Sequence, residues 1–401
     1  MILIKNGKVI IGNELIKKDI LIKDDKIYKI EDEINEDVET ILDAKGLLVM
    51  PGGVDVHVHF REPGFTYKEN IKSGSMAAAK GGFTDVMTMP NLNPCPNDLA
   101  LWQQEQKLIV ENGVINIYPY MTISEDELGE KISDFDNLHN YCYAASDDGH
   151  GVSNLALLEE ACKLALKYNM VIASHAETKE GRQLPCGEYD AVRREIEIAK
   201  RVGCRYHFCH LSTKESFEAI RQARKEGYRN ITCEAAPHHL ILNSSMIKDA
   251  NWKMNPPLRT EEDRLETVKA LVDGTIDLVA TDHAPHAVTE KSRPYSECPN
   301  GIIGIETSLP IIYTKFVKTG IISLEKFLDL MVYKPINIFG LPKHGMYVGS
   351  AASLTALDIE NEHTYLGREI LSLSQNCPYI GEKYYGFPKF TICNGKIVYK
   401  K

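Results

Sequence analysis

No C-x-x-C pair occurs among the ten cysteines, which excludes a zinc ribbon and a thioredoxin-type redox motif. Several cysteines sit inside apolar strand-like runs, such as Cys209 in YHFCHLS and Cys233 in ITCEA, and are expected to be buried reduced thiols. No apolar run approaches the roughly 18 residues of a membrane span. The N-terminal MILIKNGKVIIGN lacks the charged start and the apolar stretch of a secretory signal, so a cytoplasmic protein is expected. Net positive charge is missing too. A formal balance of -10 gives no support to nucleic acid as a partner. An acidic surface does not forbid an anionic substrate, because bound metal can make a site locally positive.

What is present is a chain of 401 residues, long enough for one large barrel plus a smaller domain, or for two or three ordinary domains. Both ends read as short strands. ILIKNGKVI, KDILIKDDKIYKI and TILDAKGLLVMPG open the chain, with Asn6-Gly7 as a turn signal; SLTALDIE and FPKFTICNGKIVYK close it, with a second Asn-Gly at 394–395. Residues 1–50 and 345–401 are therefore expected to combine into one small β-sandwich domain. The middle, 51–344, alternates strands with helices. Apolar runs fall at 54–60, 84–90, 115–122, 141–148, 170–177, 205–212, 231–239 and 277–286. Between them lie segments such as SNLALLEEACKLALKYN, capped by Ser153 or Asn154, and TKESFEAIRQARKEG, which ends on Gly227. Eight strands, each followed by a helix, predict an α/β fold of the (β/α)8 TIM-barrel type.

The polar residues fall at the ends of those strands, which in a barrel converge on one mouth. His57 and His59 flank Val58, so both imidazoles share one face of the first strand, as two ligands of one ion require. Strand four ends in Asp147-Asp148, strand five in Ser174-His175, strand six in Cys209-His210, and strand eight in Asp282. Four imidazoles and at least two carboxylates suffice for two divalent ions sharing a bridge. Each residue alone has a plainer reading, as a packed histidine or as a turn or cap aspartate before Gly149. Together they argue for metal, because burying so many unpaired polar groups costs several kcal/mol each. Strand alternation leaves open whether Asp147 or Asp148 faces the ions. Arg61 lies two residues beyond His59, and its guanidinium fork suits a carboxylate. Asn91 after strand two, and Asn255 in a loop pinned by Pro256-Pro257, each offer a donor and an acceptor.

HVHFREPG, MPNLNP, SDDG, SHAE, CHLST, KMNPPLR and ATDHAPH, in this order, resemble the class I dihydroorotases of the amidohydrolase superfamily over essentially the whole chain. The resemblance implies a binuclear zinc site with two Zn2+ per subunit. His57, His59 and Asp282 would hold one ion, His175 and His210 the other, with Asp148 and a hydroxide bridging them. It implies a substrate carboxylate bound by Arg61, Asn91 and His286, and ring amides met by Asn255 and the backbone of Asn300-Gly301. The implied reaction is the reversible cyclisation of N-carbamoyl-L-aspartate to L-dihydroorotate in pyrimidine biosynthesis, with Asp282 as the proton shuttle.

Many relatives bridge their metals with a carboxylated lysine, but YCYAASDD contains none, which favours the aspartate-bridged branch. Two departures stand out. The segment ETKEGRQLPCGEYDAVRR after SHAE is short, and Ser353 stands where the family usually has an aspartate. The alternatives are another cyclic amidase (allantoinase or dihydropyrimidinase) and a non-catalytic scaffold; filled ligand positions count against the scaffold. A small-molecule substrate is expected, and the resemblance leaves open a homo-oligomer and association with aspartate transcarbamoylase.

Overall fold

The computed structural model describes residues 1–11 and 14–401. Its centre is a ring of eight parallel strands: Gly53–Val58, Phe83–Thr88, Asn116–Pro119, Ala144–Ala145, Val171–Ser174, Arg205–Phe208, Ile231–Ala235 and Leu278–Val279. Continuous ladders join the first three strands and the last five. Single parallel bridges, Met121 to Ala145 and Val58 to His283, close the ring at both seams. Strands walled by a packed interior on one side and helices on the other must be apolar on both faces. Gly53–Val58, Phe83–Thr88 and Val171–Ser174 are accordingly buried at every position. Each expected apolar run contains one of these strands or all but its first residue.

The helix caps follow side-chain chemistry. Leu155–Tyr168 begins on Asn154, whose side chain accepts from the Leu157 amide, and ends on Asn169 in the left-handed conformation. Lys214–Lys225 ends just before Gly227, whose φ of +101° suits glycine alone. Among the described residues, no helix is long and apolar enough to cross a membrane.

Strands from both termini share one sheet, in the order Lys396–Lys400, Phe387–Cys393, Leu354–Asp358, Leu48–Pro51, Ile2–Ile11, Glu14–Lys23, Lys26–Glu31, with Thr40–Asp43 also pairing Ile2–Ile11. Ile4, Val9, Ile22, Leu354, Phe390 and Ile392 lie in its separate core. Asn394-Gly395 is the expected two-residue hairpin turn, with both φ angles positive. Asn6-Gly7 is not a turn. The strand Ile2–Ile11 runs through it with a register shift between Ile4 and Gly7, and Asn6 takes φ +63° while its amide donates to Asp19. An Asn-Gly pair supplies positive φ, which serves a bulge as well as a turn. The chain between the C-terminal strands returns to the barrel, where Tyr365, Cys377, Tyr379 and Tyr384 join the barrel core.

Candidate metal centre and substrate cleft

His57 and His59 leave the first strand on the inner face, as their i, i+2 spacing requires, and both are buried. His57 Nε2 lies 3.4 Å from Asp148 Oδ1 and 3.5 Å from Asp282 Oδ1. His59 Nε2 lies 3.1 Å from Asp282 Oδ1 and 3.4 Å from Asp148 Oδ2. On the other side, His175 Nδ1 and His210 Nε2 are 3.1 Å apart and sit 3.7 and 3.6 Å from Asp148 Oδ1. The ligand atoms of His57, His59 and Asp282 lie within 4.8 Å of one another, and so do those of His57, Asp148 and His210.

His57 Nε2 and Asp148 Oδ1 are buried without a hydrogen-bond partner. Leaving such atoms unpaired costs about 1–3 kcal/mol each, so this donor set fits a bound cation. Burial alone would raise the Asp148 carboxyl, but the charge of His57 and the nearby His175 and His210 outweigh it and hold it well below the usual carboxylate range. Asp282 is likewise lowered against its burial, mainly by His59. His210 and Asp282 take φ of +34° and +48°. That conformation costs non-glycine residues about 1–3 kcal/mol each and gathers at functional sites.

The two adjacent aspartates separate cleanly. Asp147 turns away from the cluster and accepts from the amides of Ile123 and Ser124, at 2.7 and 3.1 Å, and from the Ser124 hydroxyl. Asp148 faces the histidines.

Above the cluster opens a cleft of about 420 Å³, lined by Arg61, Asn91, Asn255, His286, Asn300 and Gly301 among others. Arg61 is buried with φ +59°, and its Nε donates to Pro285 O at 3.3 Å. Asn91 Oδ1 takes His59 Nδ1 at 2.9 Å, which turns Nε2 of that ring toward Asp282. Asn255 Nδ2 lies 3.1 Å from His175 Nε2 and 3.2 Å from Glu177 Oε2, while its Oδ1 is buried without a partner.

His286 lines the same cleft. Its Nε2 meets Asn300 O at 2.7 Å, its Nδ1 faces Lys68 Nζ at 3.4 Å, and burial with Arg61 and Lys68 pushes it down to about 2. The ring forms part of the wall of the cleft beside Arg61. The backbone of Asn300-Gly301 is also engaged, since Gly301 N donates to Lys253 O and Asn300 O accepts from His286; the Asn300 Oδ1 is the unpartnered atom there.

Set beside known proteins, residues 46–183 match the family model "Dihydro-orotase-like". The dihydroorotase of Fusobacterium nucleatum is 42% identical, over 99% of this chain and 98% of that protein. That of Macrococcus caseolyticus is 40% identical, over 100% and 98%. The chain belongs to the dihydroorotase family. Its fold also matches the L-hydantoinase (dihydropyrimidinase) of Arthrobacter aurescens, with a TM-score of 0.89 at 26% identity, covering 100% of this chain and 96% of that one. The dihydropyrimidinase of Brevibacillus agri superposes with a TM-score of 0.88 at 23% identity, covering 99% and 95%. The chain is thus an enzyme of the cyclic amidohydrolases with a metal cofactor and a small-molecule substrate.

Within this dihydroorotase-family site, sequence reasoning missed three groups. Glu234, on strand seven, accepts from His57 Nδ1 at 2.8 Å and meets His207 Nε2 at 3.1 Å, and these bonds outweigh its burial to hold it at about 2. Glu177 is also held at about 2, by His175, the Gln183 amide and Asn255. The signal for both was a carboxylate at the end of a barrel strand, in ITCEA and SHAE. Arg182, from the short segment after SHAE, lines the cleft and donates to Gly149 O at 3.0 Å.

Proposed function

We propose that the protein is a dihydroorotase, closing N-carbamoyl-L-aspartate to L-dihydroorotate and opening it again, with two zinc ions. His57, His59 and Asp282 would hold one ion, and His175 and His210 the second, with Asp148 between them. The observation that carries this reading is the pair of buried, unpartnered atoms, His57 Nε2 and Asp148 Oδ1, beneath a cleft that presents Arg61. When bound, divalent ions supply Lewis acidity toward a carbonyl and lower the pKa of water.

The chain's own residues do the rest. Arg61 binds the substrate carboxylate, held in orientation by its bond to Pro285 O. Asn91 fixes the His59 ring, and Asn255, with a free Oδ1 and an Nδ2 near His175 and Glu177, faces the ring amides. His286 and the Asn300-Gly301 backbone shape the wall, and the Asn300 side chain supplies the unpaired acceptor. In ring opening, Asp282 accepts a proton from the attacking water and passes it to the leaving amide nitrogen. In ring closure the ureido nitrogen bonds to the side-chain carboxyl carbon and gives up a proton, Asp282 passes one proton to the departing oxygen, and with a second from solvent that oxygen leaves as water. Net closure consumes one carboxylate and one proton.

The terminal strands within 1–50 and 345–401 act as the small domain, and 51–344 as the catalytic one with residues 365–384 packed on it, in a cytoplasmic enzyme. Hydantoins are the rival substrates, given the hydantoinase fold likeness. Against them stand Arg61, which seeks a carboxylate, and a strand four without lysine. A panel of dihydroorotate, dihydrouracil, hydantoin and allantoin tests the reading. Preference for dihydroorotate by at least about a hundredfold in kcat/KM is expected; faster hydrolysis of a neutral ring would refute it.

A further inference from the structure

The segment Leu371–Cys377 crosses from the C-terminal region to the mouth of the barrel. Ser372 and the Leu373 amide bond Glu69, and the Ser374 hydroxyl donates to Lys68 O at 2.7 Å, so its first part grips the loop after strand one. Two residues later, Asn376 grips the loop after strand eight. It is 2% exposed, and its carboxamide is spent entirely on that loop. Nδ2 donates to Ala284 O at 3.1 Å and to Gly301 O at 2.9 Å, and Oδ1 accepts from the His286 amide at 3.3 Å. Its own carbonyl takes the Ile303 amide at 3.0 Å.

One planar group therefore ties together two stretches, 284–286 and 301–303, that form one wall of the cleft. Those stretches approach closely: a Cβ on Gly301 would lie 2.6 Å from Ala284 O. A carboxamide is the side chain that offers two donors and an acceptor in one plane. An aspartate of the same shape would set a carboxylate against two carbonyl oxygens, and a leucine would leave three buried backbone groups unpaired.

We infer that Asn376 is a positioning residue for substrate recognition, a cross-brace that holds the His286 and Asn300-Gly301 wall at the right distance from Arg61. This rests on the reading of the cleft as the dihydroorotate site. The metal-ligand atoms are held by other bonds. The Thr281 amide before Asp282 is fixed by Asp55, and His57 by Glu234. Loss of the brace should therefore act on substrate binding and spare the metals.

The test takes the full-length, zinc-loaded protein and its Asn376→Leu variant, with Asn376→Ser as the milder change if the first does not fold. Hydrogen exchange over 284–303, zinc content, and kcat and KM for L-dihydroorotate are measured. Faster exchange in that segment, full zinc, and KM raised at least about tenfold with kcat within about threefold are expected, since misplacing a binding wall weakens binding first. Unchanged exchange over 284–303 overturns the brace whatever the substrate. Faster exchange with KM unchanged, or with zinc lost, overturns its role in recognition. If the wild-type protein turns over no dihydroorotate, the substrate reading fails by itself, and the exchange result still decides the brace.

Discussion

His57 Nδ1 lies 2.8 Å from Glu234 Oε1, and the other oxygen of that carboxylate meets His207. With an ion held at Nε2, this bond would keep the proton of His57 on Nδ1 and aim the Nε2 lone pair between Asp148 and Asp282. A carboxylate behind a ligating imidazole orients the ring and raises its basicity, and its loss typically costs about 10–100-fold in metal affinity or activity. Glu234→Gln is therefore expected to bind zinc about 10–100-fold more weakly while folding normally, as read by competition with a chromophoric chelator. Zinc affinity equal to wild type would remove Glu234 from the account.

The adjacent aspartates give a sharper contrast. Asp148→Ala should lose metal and activity together, and His175→Ala should behave likewise. Asp147→Asn should keep its metal, because its carboxylate serves the Ile123 and Ser124 amides. Its cost should appear as stability, about 1–3 kcal/mol for weakened buried bonds. Metal analysis beside a urea melt separates the two, and full zinc in Asp148→Ala would contradict the bridging role.

Arg61→Lys keeps the charge but not the fork. Losing two parallel hydrogen bonds to a carboxylate should cost about 2–4 kcal/mol in kcat/KM for dihydroorotate. A change within about threefold would make Arg61 a bystander.

Away from the site, Glu105 on the helix Leu99–Asn112 is buried, with one oxygen unpartnered and the other 3.3 Å from the Thr88 hydroxyl. Burial pushes it up to about 8 from an ordinary 4.5, against a small lowering by Thr88. The folded state binds this proton more tightly than the unfolded state. Its stabilisation is therefore full below pH 4.5 and lost as pH rises toward about 8. The slope is at most about 1.4 kcal/mol per pH unit. Glu105→Gln, a neutral isostere, should flatten that part of the stability curve and gain most over wild type near pH 8. Parallel curves in denaturant melts from pH 5 to 9 would show that the carboxyl is not buried in its protonated form.

Much of this was legible in the sequence, because barrel strands write their two buried faces as apolar runs and their chemistry at the end of each run. His57, His59, Asp148, His175, His210 and Asp282 could be found by that rule. The choice between Asp147 and Asp148 could not be made from strand alternation, since both are carboxylates and the turn after a two-residue strand sets which one points inward. Glu234 was passed over because a glutamate near the end of ITCEA reads as a strand end without a partner; its partners lie on strands one and six. Asn376 is 90 residues from His286, and nothing local in SLSQNC indicates which loop its carboxamide will meet. Asn6-Gly7 failed for the opposite reason: the local signal was real, but pairing on both sides of the strand turned it into a bulge.

The most direct test is the ultraviolet assay of L-dihydroorotate hydrolysis by the purified protein as isolated, after chelator treatment, and after zinc is returned, with metal counted each time. The account predicts turnover that disappears with the metal and returns as zinc approaches two per chain. Full activity in the metal-free protein, or no turnover with two zinc ions bound, would contradict it.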